Sequence, residues 1–227
     1  RICRVERAWT CTGTDTSNCQ PVCGDSEKIG PEGCDDGNLL NGDGCSGSCT
    51  VEQYWECSGG GHGSKSTCKP ICGDGVLLTE ESCEDGNVED KDGCSSTCNI
   101  ESGWLCPRSV KSCTSVCGDG LVVGLEVCDD STVGGGDGCR NCTVETGWTC
   151  DANQPTGCTP NCGDGRKVGS ETCDDSGTAA GDGCSASCTV EDGWTCSGAG
   201  AGSCTPVCGD SVRKSGEACD DGNTEAG

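Results

Sequence analysis

The sequence predicts an elongated tandem array of small disulfide-rich repeats, irregular in backbone, with short β-hairpins and little helix. The first observation behind this is an acidic segment between two cysteines, Cys34 to Cys45, that begins Cys34-Asp35-Asp36-Gly37-Asn38 and returns at regular intervals along the chain. The second is a composition of 29 Cys and 40 Gly in 227 residues, with five Trp, one Tyr and no Phe or Met. Function is therefore to be read from the repeated unit.

Composition also bounds the class of protein and its surroundings. A cysteine content this high is typical of disulfide scaffolds from oxidising compartments, so we expect an extracellular or cell-surface location. The apolar fraction is too low for one large core, and repeats of this size need cross-links to fold. The net charge of −24 argues against nucleic acid and anionic membranes as partners and favours cations. No apolar run is long enough to enter a bilayer.

The cysteine spacing divides the chain into repeats of similar length. Complete copies begin at Cys23, Cys72, Cys117 and Cys162, in steps of 49, 45 and 45 residues. The predicted segments are 1–22 (the second half of a repeat), the complete repeats 23–71, 72–116, 117–161 and 162–207, and 208–227 (a first half). The two incomplete ends suggest a piece of a longer array, in which the odd number of cysteines needs no free reactive thiol.

Secondary structure is predicted to be sparse. Val76-Leu77-Leu78 and Lys167-Val168 suggest a short strand, and the alternation from Val51 to Cys57 suggests a second one. No stretch has helical periodicity over three turns. Three-residue connectors such as Thr159-Pro160-Asn161 favour a rod over loosely tethered units.

Six cysteines in a repeat allow 15 pairings, and the sequence does not choose among them. We favour Cys106–Cys113, Cys83–Cys94 and Cys72–Cys98. Zinc is the alternative, because Cys139-x2-Cys142 has ligand-like spacing, although no histidine accompanies it. The cysteines assigned to disulfides in the first two complete repeats are Cys23, Cys34, Cys45, Cys49, Cys57, Cys68, Cys72, Cys83, Cys94, Cys98, Cys106 and Cys113.

The acidic segment is the strongest chemical signal. Several carboxylates confined by cross-links repel one another unless a cation neutralises them, and oxygen ligands with glycine turns suit Ca²⁺. The possible ligands are Asp25, Asp35, Asp36, Asn38, Asp43, Asp74, Asp85, Asn87, Asp92, Asp119, Asp130, Asp137, Asp164, Asp175 and Asp182. The alternative is that these side chains cap turns by hydrogen bonds to the backbone. The spacing does not match the EF-hand loop.

Two further residue types bear on function. All five Trp lie six residues after the fourth cysteine of a repeat, which indicates a structural ring that covers a disulfide, with sugar stacking as the alternative. The only histidine is His62, so neither a Ser/His/Asp arrangement nor a histidine metal site can form, and we expect no enzyme. Asn141-Cys142-Thr143 is a possible N-glycosylation site at Asn141.

The combination of Cys-Gly-Asp-Gly, Cys-Asp-Asp-Gly-Asn, Gly-Asp-Gly-Cys and Val-Glu-x-Gly-Trp-x-Cys resembles the myxobacterial-type cysteine-rich disulfide repeat. The segment from Cys184 to Cys196 is close to its consensus, and the resemblance covers essentially the whole chain. It implies secreted or surface-anchored proteins, among them proteins similar to the mastigoneme subunits that coat flagella, and no established reaction. Asp129-Asp130-Ser131 and Asp174-Asp175-Ser176 depart from it by losing Gly-Asn, which weakens a uniform metal site.

Two functions follow as hypotheses. In the first, the chain is a non-catalytic structural rod in a surface filament or coat, with other copies of itself or coat proteins as partners. In the second, it is a stalk or adhesin with calcium-stabilised repeats that binds a glycan or protein through variable loops such as Cys57 to Cys68. A filament needs matching contacts on successive repeats, whereas a stalk can bind through one loop.

Overall fold

The computed structural model describes residues 4–12, 18–151 and 157–223, and within them the regular structure consists of short antiparallel hairpins without any helix. This confirms the predicted class of small disulfide-rich repeats. The strands are β1 (Trp9–Cys11), β2 (Cys19–Pro21), β3 (Trp55–Gly59), β4 (Ser66–Pro70), β5 (Trp104–Leu105), β6 (Thr114–Ser115), β7 (Cys139–Arg140), β8 (Thr143–Val144), β9 (Trp148–Cys150), β10 (Cys158–Pro160), β11 (Trp194–Cys196) and β12 (Cys204–Pro206).

One hairpin recurs at the same place in each repeat, around the last two cysteines. In β3–β4, Trp55 lies opposite Pro70 and Cys57 opposite Cys68, so the disulfide joins two residues that face each other across the strands. β1–β2, β9–β10 and β11–β12 share this register, with Trp opposite Pro and Cys opposite Cys. Because the cross-link closes the hairpin at its base, the loop beyond it can vary in length without disturbing the repeat.

The first of the two predicted strands is wrong. Val76-Leu77-Leu78 and Lys167-Val168 form no strand. The Val76 N–H donates to Asp74 Oδ1 and the Leu78 N–H to Glu81 Oε2, so local carboxylates take the donors that a sheet would need. The second predicted strand begins later than expected, at Trp55, and Val51 makes only an isolated bridge to Cys45.

Thirteen disulfides join the described cysteines in one pattern, first to fourth, second to third and fifth to sixth within each repeat. In the second repeat these are Cys72–Cys98, Cys83–Cys94 and Cys106–Cys113, the three pairs favoured from the sequence. Cys139 pairs with Cys128 and Cys142 with Cys117, so the zinc alternative has no thiolates to use. Cys208 and Cys219 are unpaired, and Cys3 lies outside the described residues.

Cystine takes the place of an aliphatic core. In the described residues, the buried hydrophobic side chains are cysteines except for Ala8 and Trp55. In the fourth repeat, Cys173, Cys184 and Cys188 form a buried cluster against which the hairpin cysteines Cys196 and Cys204 pack. The fold therefore depends on covalent links where larger domains rely on buried apolar area.

Each tryptophan ring packs against at least one glycine, and the Trp148 ring packs against glycines of two successive repeats. Trp148 covers Gly138, the glycine before the third cysteine of its own repeat, where a Cβ would lie 2.8 Å from Trp148 Cε3. The far edge of the same ring covers Gly169 of the following repeat, and Trp104 covers Gly124 in the same way. Contacts divide the chain into two compact units, and Trp104, Trp148 and these glycines all belong to the second. The Trp148 ring is thus a contact between two successive repeats, and its predicted role as the cover of a disulfide stays a prediction.

Candidate cation site in the acidic loop

The first acidic residue after the second cysteine is a structural anchor. Asp35 is fully buried, and its carboxylate accepts backbone hydrogen bonds from Gly24, Asp25, Ser26 and Gly37 at 2.8–3.2 Å. Asp129, Asp174 and Asp220 occupy the same position and make the same kind of bonds. This carboxylate ties the opening Cys-Gly-Asp turn to the acidic loop in the first, third, fourth and last copies.

Glutamate does the same work in the second repeat. Glu84 is 3% exposed and accepts bonds from Gly73, Gly75 and Gly86. In the third repeat the shorter aspartate lies within a ring of backbone donors: burial alone would raise the pKa of Asp129, but its backbone N–H partners lower the pKa below the ordinary value. The pKa of Asp174 is lowered for the same reasons.

The next acidic residue belongs to a different arrangement, which pairs it with the aspartate near the third cysteine. Asp36 Oδ1 accepts the Asn38 N–H at 3.2 Å, and the Asn38 Nδ2 donates to Asp43 Oδ2 at 2.9 Å. Asp85, Asn87 and Asp92 repeat these two bonds at the same distances in the second repeat. The two carboxylates come from opposite ends of a loop closed by the Cys34–Cys45 or Cys83–Cys94 disulfide.

These paired carboxylates hold oxygens that have no donor. Buried carboxylate oxygens without a hydrogen-bond partner occur at Asp43 Oδ1, Asp85 Oδ2, Asp92 Oδ1 and Asp130 Oδ2. Burial raises the pKa of Asp85, and the facing Asp92 raises it further; burial and Asp43 do the same for Asp36. Unpartnered carboxylate oxygens beside a like charge are what a hard divalent cation would satisfy, so these residues fit Ca²⁺.

The residue that bridges the two carboxylates, four positions after the second cysteine, differs between repeats. In the third repeat Thr132 Oγ1 lies 3.1 Å from Asp130 Oδ1 and 3.2 Å from Asp137 Oδ2, so a hydroxyl replaces the asparagine amide. In the fourth repeat the position is Gly177, which supplies no side chain between Asp175 and Asp182. The expectation of a weakened metal site in these two copies rests on the loss of the amide and stays a prediction.

The remaining predicted ligands lie in turns. Asp25, Asp74, Asp119 and Asp164 each accept the N–H of the residue two positions on, as an Asx-turn does. The structure therefore brings together Asp36, Asn38 and Asp43 and their counterparts, and it places Asp35 in the separate anchor. Turn capping, the alternative interpretation, accounts for the aspartates of the opening Cys-Gly-Asp turn. Calcium at the paired carboxylates stays a prediction.

Sequence reasoning missed a second group of structural carboxylates. Glu52 accepts the N–H groups of Gly42 and Gly44, and Glu101, Glu145 and Glu191 hold the equivalent turn in the following repeats. The signal was present, because a Glu precedes each Trp by three residues. The predicted glycosylation residue, Asn141, is exposed in the turn between β7 and β8 with a φ of 48°, and its modification stays a prediction.

The comparisons with known proteins agree with this repeat structure. A family model described as "Domain of unknown function (DUF4215)" matches residues 3–50, 55–99, 101–143, 145–189 and 190–227. The chain belongs to this family of cysteine-rich repeats. The narrower resemblance to the myxobacterial-type repeat and the segment boundaries given above stay predictions. No curated protein and no solved structure matches the chain.

Within the described residues, the chain has no helix that could cross a bilayer.

Proposed function

We propose that this chain is a non-catalytic structural protein of the cell exterior, whose tandem repeats form part of a surface filament or coat. The thirteen disulfides among the described cysteines support an oxidising, extracellular location. The anchoring carboxylates and the tryptophans of each repeat are engaged in holding the repeat itself together. These features suit a rigid structural scaffold.

The observation that carries the assembly proposal is an exposed apolar side chain at one position of successive acidic loops. Leu39, Val88 and Val133 each stand five residues after the second cysteine, and they are 61%, 56% and 60% exposed. Thr178 holds this position in the fourth repeat and is also exposed. An exposed apolar side chain that recurs in three successive repeats gives neighbouring chains the matching contacts that a filament needs.

Electron microscopy of native material, kept free of reductant and chelator, tests this proposal. Fibres whose axial repeat is a multiple of the spacing between repeats are expected. The variant Leu39→Glu/Val88→Glu/Val133→Glu should lose lateral association, and a matched variant with Glu at the exposed Val110, outside the acidic loops, should keep it. Isolated thin particles in native material, or fibres unaffected by the triple change, contradict a filament built on these contacts.

The second candidate is a stalk or adhesin that binds a glycan or protein through its variable loops. The cross-linked hairpins favour it, because the segment between Cys57 and Cys68 is longer than that between Cys106 and Cys113. Shortening the first loop to the length of the second should abolish surface binding in this case. The same change should leave fibres intact if the filament proposal is right.

We also propose that the paired carboxylates bind Ca²⁺ and stiffen the acidic loop. Extracellular sites of this type have dissociation constants of about 10⁻⁴–10⁻³ M, so millimolar calcium fills them. Since the cation would offset repulsion between Asp85 and Asp92, calcium should slow amide hydrogen exchange in residues 83–94 relative to chelator. Residues 173–184, where Gly177 provides no bridging ligand, serve as the internal comparison.

The Asp92→Asn variant sharpens the calcium experiment. It should remove calcium-dependent protection from residues 83–94 and leave that of residues 34–45 unchanged, because Asp43 stays in place. Equal exchange with calcium and with chelator in all four loops of the unchanged protein shows that the paired carboxylates hold no cation.

A further inference from the structure

The disulfide between the first and fourth cysteines of a repeat lies against carboxylates. In the second repeat, Cys98 Sγ is 3.3 Å from Glu81 Oε1 and 3.9 Å from Glu84 Oε2. Cys49 and Cys142 lie 3.8 and 3.7 Å from the anchoring Asp35 and Asp129. A disulfide sulfur carries no hydrogen, so these are contacts between a negative charge and a sulfur atom and not hydrogen bonds.

The glutamate two residues before the second cysteine directs one of its oxygens away from every donor. In the fourth repeat, Glu171 Oε2 accepts the Val168 N–H at 2.8 Å, while Glu171 Oε1 is buried and has no partner. Glu171 is only 8% exposed, and one of its oxygens lies within 4.8 Å of the sulfurs of both Cys162 and Cys188. Glu32 and Glu217 have the same orphaned Oε1. This carboxylate is therefore held close to the disulfide without a donor on that oxygen.

The two sulfurs of this disulfide differ in access. Cys49, Cys98, Cys142 and Cys188 are 1–8% exposed, whereas their partners Cys23, Cys72, Cys117 and Cys162 are partly exposed. An external thiolate therefore reaches the outer sulfur. It forms a mixed disulfide there, the bond between the two cysteines breaks, and the inner sulfur leaves with the electron pair as a thiolate that later takes a proton from solvent.

We propose that the carboxylates beside the first-to-fourth disulfide protect it from thiol exchange, because the thiolate that must leave forms among negative charges. A leaving thiol of raised pKa leaves slowly. The protection is kinetic, and it goes beyond the structural function proposed above because it concerns how the scaffold survives in the presence of thiols.

The other two disulfides of a repeat lack this arrangement and provide the contrast. The second-to-third pair is buried, with Cys83 and Cys94 only 2% and 1% exposed, and the Cys94 sulfur lies within 4.8 Å of the sulfurs of Cys72 and Cys98. The hairpin pair is partly exposed, and Cys106 Sγ approaches the Gly93 carbonyl oxygen at 3.4 Å. We expect the hairpin disulfide to be reduced first by a thiol such as dithiothreitol and the buried pair last.

The test is the rate of reduction of individual disulfides in Glu81→Gln and Glu171→Gln variants. Glutamine keeps the acceptor for the N–H three residues earlier and removes the charge. Samples of the full chain are treated with dithiothreitol at pH 8, quenched by alkylation and assigned by peptide mass spectrometry. Glu81→Gln should speed reduction of Cys72–Cys98 by about threefold to tenfold, since a leaving thiolate that forms without an adjacent negative charge leaves faster.

Each variant is the control for the other. Glu81→Gln should leave Cys162–Cys188 unchanged, and Glu171→Gln should speed Cys162–Cys188 and leave Cys72–Cys98 unchanged. Unchanged rates at both sites overturn the proposal. Equal acceleration of Cys72–Cys98 and the hairpin pair Cys106–Cys113 also overturns it, because general loosening of the repeat and not charge would then be the cause.

Discussion

Two neighbouring carboxylates, Asp35 and Asp36, have the same chemistry and opposite surroundings. Asp35 is enclosed by four backbone N–H donors. Asp36 accepts one backbone N–H and lies near the negatively charged Asp43. Asp35 is a hydrogen-bond acceptor that joins two turns, whereas burial and the facing Asp43 raise the pKa of Asp36. The difference teaches that two adjacent acidic residues of one repeat can occupy opposite environments, one enclosed by backbone donors and the other facing a second carboxylate.

The largest effect is expected from removing the anchor. Asp174→Ala should lower the free energy of unfolding by about 3–5 kcal/mol, because several buried N–H groups lose a charged acceptor. Asp175→Ala, at the adjacent position, should cost less than about 1 kcal/mol in chelator. Chemical denaturation of the disulfide-intact protein measures both. Equal losses would contradict the division of roles between the two residues.

The two kinds of carboxylate predict opposite pH dependences. The lowered pKa values of Asp129 and Asp174 mean that their stabilisation is present above about pH 4 and is lost as the pH falls through the folded-state values. The raised pKa values of Asp36, Asp85, Glu32 and Glu81 mean that their contribution is present below about pH 4 and is lost as the pH rises through the folded-state values.

Melting temperature measured in chelator between pH 3 and 8 should therefore pass through a maximum on the acidic side of neutrality. Calcium should flatten the fall above this maximum, because it stabilises the ionised pairs. A melting temperature that rises steadily up to pH 8 in chelator would show that the paired carboxylates do not repel one another.

A smaller effect is expected at the turn that links the two carboxylates to the rest of the loop. Ser131 has a φ of 70° where the first two repeats have Gly37 and Gly86 at 87° and 90°. Ser131→Gly should stabilise the third repeat by up to about 1 kcal/mol, because glycine adopts this conformation without strain. Thermal unfolding measures the gain, and Ser46→Gly, at an exposed hydroxyl cluster, is the control. A loss of stability would mean that the serine makes a contact worth more than the strain.

The smallest effect concerns the bridge between the paired carboxylates. Gly177→Asn should restore in the fourth repeat the amide that Asn38 and Asn87 supply, and stabilise it by a few tenths of a kcal/mol in chelator. A side chain has room, since a Cβ at Gly177 would lie 3.5 Å from Asp175 Oδ1 and 3.9 Å from Asp182 Oδ2. Hydrogen exchange in residues 173–184 measures the change, and faster exchange would contradict the bridging role.

The sequence was sufficient to predict the features that depend on regularly spaced cysteines and tryptophans. The spacing of cysteines predicted the repeats and the hairpin loop of Cys106 and Cys113, and the regular position of Trp predicted a structural ring. The split between Asp35 and Asp36 could not be predicted, because it depends on which backbone N–H groups converge in three dimensions. The strand expected at Val76–Leu78 failed for the same reason, since two carboxylates capture its donors.

The order of the cross-links also determines how the chain responds to tension. In the repeat 23–71, the Cys23–Cys49 and Cys57–Cys68 bridges take residues 24–48 and 58–67 out of the load path. Only residues 50–56 and 69–71 can be pulled straight, which at about 3.5 Å per residue releases on the order of 35 Å of contour length. Beyond that length, tension on this repeat passes through covalent bonds, so the two bridges set an upper limit on how far it can extend.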